Sequence, residues 1–162
     1  MQQLSWREKF AAILVLLIGI VFLLMQVFAL VSSRSNAYSE ADGALVISKG
    51  ELFADIRAYI TIFLGIAGGI LLWKSKRLGW VIGISLLIFF TLIACYGIVN
   101  LVMQRVFDSS FKMVVALAVV LLTAVIFLLL PAAKQKYRVG KRTYLPTLLF
   151  FMAIAAVYFF LQ

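Results

Sequence analysis

Five apolar runs, residues 10–31, 52–73, 80–103, 113–131 and 145–162, occupy most of this 162-residue chain. A helix rising about 1.5 Å per residue needs roughly 20 residues to cross about 30 Å of hydrocarbon, and each run is near or above that length. The runs are apolar all round and lack the polar face, repeating every 3.6 residues, of a helix in a water-soluble core. Hydrophobic residues make up 65% of the chain, which leaves too little polar surface to coat a soluble globule. The expected fold class is therefore all-α: a polytopic integral membrane helical bundle of five transmembrane helices, forming one domain over residues 1–162. Four spans are the alternative, since the last run has 18 residues and no polar tail.

The net charge is +9, and its placement says more than its size. Threading five spans alternately through a bilayer gathers Arg7, Lys9, Lys74, Lys76, Arg77, Lys134, Lys136, Arg138, Lys141 and Arg142 on one side, opposed by Glu8. The other side holds Arg34, Lys49, Arg57, Arg105 and Lys112 against Glu40, Asp42, Glu51, Asp55 and Asp108, and balances. Lys and Arg are retained in cytoplasmic loops, so the expectation is an N-terminus inside and a C-terminus outside. Clustered cations near a membrane also attract anionic head groups, but topology alone accounts for this distribution and no nucleic-acid partner is implied. The 22-residue first run exceeds the roughly 7–15 apolar residues of a signal peptide, so it is read as a retained anchor despite the small residues Ser35-Asn36-Ala37 of a candidate cleavage site.

The chain has no histidine and one cysteine, Cys95. Histidine-based metal sites and Ser-His-Asp triads are thereby excluded, and a lone cysteine forms neither an internal disulfide nor a cysteine-based metal site. Cys95 is expected to be a packing residue. No catalytic residue, cofactor or metal is assigned. Enzymatic use of Asp55, Asp108 and Tyr96 on lipid head groups ranks last, because the two carboxylates lack paired spacing.

Residues 32–50 form the longest outer loop, with an apolar stretch at 44–47 and a capping-box spacing, Ser48 to Glu51, at the start of the second helix. Residues 74–78 are so short a turn that the second and third helices form a hairpin, and a second short turn makes the third and fourth neighbours. Ser109 or Ser110 is the expected cap of the fourth helix. Residues 132–144 read as a basic inner loop between Pro131, which stops one helix, and Pro146, which opens the next. Gly65 and Gly69 on the second helix, with Gly79 and Gly83 on the third, are expected to form facing small-residue surfaces, Gly69 opposite Gly83. Trp6, Trp73, Trp80, Tyr137 and Tyr144 fall near the inner boundary and fit an aromatic belt.

Polar residues inside spans are costly unless they face protein or water. Tyr96, Asn100 and Gln104 recur every four residues on the third helix, Arg57 opens the buried part of the second, and Gln26 lies roughly 8 Å below the outer end of the first. These five residues are the candidate outward-facing polar pocket. The chain resembles small multi-span proteins of bacterial inner membranes only generically, in size and span number. The expected role is a non-enzymatic one, as an accessory, assembly or regulatory component of a membrane complex. The alternative is a small-molecule or ion transporter or channel working as an oligomer. The expected partners are the lipid bilayer and either other membrane proteins or further copies of the chain.

Overall fold

Among the described residues six helices follow one another: α1 (Trp6–Ala37), α2 (Lys49–Trp73), α3 (Arg77–Met103), α4 (Ser109–Leu129), α5 (Pro131–Lys136) and α6 (Lys141–Phe160). They are seen in a computed structural model that describes residues 5–37, 49–105 and 107–160. All but α5 are long and apolar enough to cross a membrane, so the chain is an all-α bundle with five candidate spans. The expected outer loop over 32–50 is shortened at both ends, since α1 continues to Ala37 and α2 begins at Lys49; its apolar stretch at 44–47 and Ser48 lie outside the described residues.

Helix α1 packs between α2 and α4, α3 closes the ring against the same two helices, and α6 lies outside it against α3. The α2–α3–α4 meander is thus one side of a four-helix ring. Its core runs along α3, where Trp80, Ile84, Leu86 and Leu87 are fully buried, and continues through Ala11, Ala12 and Val15 of α1 and Leu121, Ala124 and Leu128 of α4.

The α1–α2 contact brings two backbones close together. A Cβ built on Gly65 would stand 2.6 Å from the Gly19 Cα, and one on Gly19 would stand 2.8 Å from the Ile66 nitrogen. Lipid tails are as apolar as leucine, so helices in a bilayer gain from dispersion contacts that bare backbones make and larger side chains prevent. Gly69 continues this face against Leu16 and Ala12 of α1, which corrects the expected Gly69–Gly83 pairing. Successive helical residues are about 100° apart, so Gly68, not Gly69, turns toward α3 and meets Ile82. Gly79 lies against the Leu71–Leu72 backbone of α2, while Gly83 receives the Leu72 side chain and lies near Val15.

Helix ends follow local chemistry. Asp108, rather than Ser109 or Ser110, caps α4: its carboxylate accepts from the Ser110 and Phe111 backbone N–H groups at 3.0 and 3.3 Å. Leu130, preceding Pro131, is extended at φ −58° and ψ 144°, which ends α4. Pro131 then opens α5, so the expected inner loop contains a short helix and the first turn of α6. Pro146 lies inside α6, whose first turn is set by Gly140: its N–H donates to Thr143 Oγ1 and its carbonyl accepts from the Thr143 N–H.

Helices α2 and α5 end alike. The Lys76 N–H reaches back to Leu71 O and the Ser75 N–H to Leu72 O; the Val139 N–H reaches Lys134 O and the Arg138 N–H Gln135 O. Both are Schellman turns with a residue other than glycine in the left-handed position, Ser75 at φ 53° and Arg138 at φ 52°.

Candidate functional site

Among the described residues every buried side-chain polar atom has a hydrogen-bond partner, and the partners show what each polar group does. Gln26, 8% exposed, donates from Nε2 to Asp55 Oδ1 at 2.6 Å, tying α1 to α2. Nearly two turns farther along α2, Thr61 Oγ1 donates to the Arg57 carbonyl at 2.9 Å and lies in hydrogen-bond contact with Tyr158 of α6. With the threonine proton committed to that carbonyl, the tyrosine hydroxyl is the donor of the second bond. The half-buried Arg57 guanidinium is within electrostatic reach of the Tyr158 phenol.

Tyr96, Asn100 and Gln104 stand elsewhere. Tyr96 is 74% exposed, Asn100 and Gln104 are exposed as well, and the Gln104 amide bonds the Asn100 side chain at 3.3 Å within the same helix. The five expected pocket residues therefore separate into Gln26 with Asp55, Arg57 beside Thr61 and Tyr158, and an outward stripe on α3. The reason lies in α3 itself. Its inward side in this half carries Ala94, Gly97, Ile98 and Leu101, with Gly97 near Val114 of α4. Small apolar residues let the helices close, and the polar stripe is turned outward. Cys95, expected as packing, is exposed on that outer surface.

The opposite, basic end holds a more tightly connected set. Glu8 Oε2 accepts from Lys136 Nζ at 2.6 Å, with side chains only 5% and 12% exposed, and also accepts the Ser5 backbone N–H at 2.8 Å. Ser5 and Glu8 thus form half of a capping box at the start of α1, and the same carboxylate fastens α1 to α5. Next to Lys136, Tyr137 donates its hydroxyl to Leu72 O at 3.1 Å. Burial pushes the Tyr137 phenol well above its ordinary pKa, and the Glu8 charge adds to the shift. Trp80 donates from Nε1 to Leu128 O at 3.0 Å.

Trp80 thereby satisfies Leu128 O, a carbonyl of the last turn of α4 before the Pro131 break, and Tyr137 adds a second bond to Leu72 O, which already accepts from the Ser75 N–H at the end of α2. Trp80 and Tyr137, each 1% exposed, are buried connectors, whereas Trp6, Trp73 and Tyr144 are exposed as belt residues would be. Sequence reasoning missed the Glu8–Lys136 clasp. Two signals pointed to it: a lone acid in a strongly basic set, and the Ser5-to-Glu8 spacing.

The arrangement can hold helices in register and present a polar stripe to its surroundings. No group of three or more potential metal-ligating side chains comes together among the described residues. No protein-family model matches the chain, and neither a curated protein nor a solved structure is detectably similar to it.

Proposed function

We propose that the protein works through contacts, as a non-enzymatic accessory, assembly or regulatory component of a membrane complex, in a bacterial cytoplasmic membrane with its N-terminus inside. The observation that carries this reading is the use of its polar side chains. Gln26, Thr61 and Tyr158 are engaged with neighbouring helices of the same bundle, while Tyr96, Asn100 and Gln104 face away from it. A polar stripe on the outer half of a spanning helix is best satisfied by a partner helix with its own hydrogen-bonding groups. The orientation rests on the ten basic residues collected at one end.

A second reading has one observation in its favour. The same stripe, inaccessible to an interior pore, would line a route between copies of the chain, as in an oligomeric transporter or channel. Mild-detergent extraction of the tagged protein followed by native mass measurement separates the two. Stoichiometric partner proteins are expected; a homogeneous homo-oligomer without partners would overturn the accessory role in favour of transport.

A further inference from the structure

At the basic end, a cleft of about 680 Å³ opens between two turns. Ser75, Lys76 and Arg77 of the α2–α3 turn form one wall, and Gln135, Lys136 and Arg138 at the end of α5 form the other. The sequence separates these walls by nearly sixty residues; the fold sets them face to face. Both are rigid, each being a Schellman turn, and the Tyr137 hydroxyl bolts one to the other through Leu72 O. Four cations line this space, with no acidic side chain among the lining residues. Glu8 offsets Lys136 from behind, which leaves Lys76, Arg77 and Arg138 as exposed cations converging on one opening.

Topology requires basic residues at this end but not their gathering in one preformed hollow, where low-dielectric walls concentrate the field. The geometry points to a binding site for a phosphate-bearing anion, the head group of an anionic phospholipid in the adjoining leaflet. Phosphate suits it because a tetrahedral group with several acceptor oxygens meets guanidinium forks and ammonium donors from opposite walls. The hollow exceeds a bare phosphate and lies within the usual range of small-molecule sites. Its depth selects the lipid as the source. Its walls adjoin span ends: Ser75 closely follows Trp73, where α2 stops, and Arg138 shortly precedes α6, whose first turn carries Tyr144; both rings are about half exposed, as at head-group level. This site is independent of whether the protein acts as an accessory component.

The test uses the full chain in detergent, stripped of lipid, then titrated with phosphatidylglycerol, with phosphatidylcholine and separately with inorganic phosphate, reading bound lipid by native mass and thermal stability. Phosphatidylglycerol is expected to be retained and to raise the melting temperature, and phosphatidylcholine to do neither. The Lys76→Gln/Arg138→Gln variant, with two cations removed, should lose affinity by about thirtyfold. Lys9→Gln/Lys141→Gln, which removes equal charge from the same end outside the cleft, should retain it. Arg77→Gln alone, on an exposed side chain, gives a smaller loss in the same direction and serves if the double variant does not assemble. Equal losses in the cleft and control variants would overturn the site in favour of diffuse surface charge. Full saturation by inorganic phosphate with no lipid preference would overturn the lipid as its source.

Discussion

Removing the charge of Glu8 while keeping its shape isolates what holds the basic end together. Glu8→Gln removes the carboxylate that meets the largely buried Lys136 ammonium, and a loss of stability is expected, with about 3–5 kcal/mol the upper bound for breaking a buried pair from one side. Glu8→Gln/Lys136→Met should regain most of that loss, and the two are compared by thermal unfolding in detergent. Recovery shows that the cost comes from keeping a buried charge rather than from the absence of a needed attraction. The adjacent Tyr137 makes stability depend on pH. Its phenol is held above its ordinary 10.0 by burial and by Glu8, so the folded chain keeps a proton that the unfolded chain releases. That contribution is complete below pH 10 and is lost as pH rises toward the folded value. Tyr137→Phe should cost about 1 kcal/mol at neutral pH through the lost bond to Leu72 O, and should flatten the decline of stability in alkali. At this scale the sequence was only partly legible. The Ser5-to-Glu8 spacing was available, but Lys136 as its partner depends on α5, a helix that a basic, proline-bounded loop does not announce.

Between helices, the decisive feature is how little room the α1–α2 contact leaves. Gly65→Ala would place a Cβ against the Gly19 backbone, which cannot give way as a flexible side chain would, so the helices must separate; a loss of about 1–3 kcal/mol is expected. Gly97→Ala meets only Val114 Cγ1 at 3.6 Å, an ordinary contact, and should be neutral or slightly stabilising. The pair, measured together by unfolding in detergent, separates close packing from any general sensitivity of glycines. Ser75→Gly should add roughly 1 kcal/mol in the same assay, because a left-handed φ costs a residue with a Cβ about that much. Span number and the α2–α3 hairpin were legible because length and a very short turn leave few alternatives. The face each glycine presents was not: Gly68 and Gly69 differ by one residue and by about 100°, and which of them meets α1 depends on how both neighbours pack. Pro146 misled for a related reason, since Gly140 and Thr143 start α6 before the proline is reached.

For the molecule as a whole, the division of polar groups between inside and outside carries the functional account. Apolar length alone implied a membrane bundle, and alternating charge gave two ends, one with the Glu8–Lys136 clasp and the opposite one with Gln26, Asp55 and Arg57. The interior pocket expected from Gln26, Arg57, Tyr96, Asn100 and Gln104 failed to assemble because shared depth is not shared direction: Gln26 is bonded to Asp55 inside the bundle, Arg57 is half-buried, and the other three face out. What that outward stripe meets is the central question, and site-specific photocrosslinking from position 96 in living cells answers it directly. The account predicts discrete adducts with another membrane protein from position 96, absent when the crosslinker is placed instead at the exposed Leu24 of α1. Adducts to lipid alone, or to nothing beyond the chain itself, would contradict it.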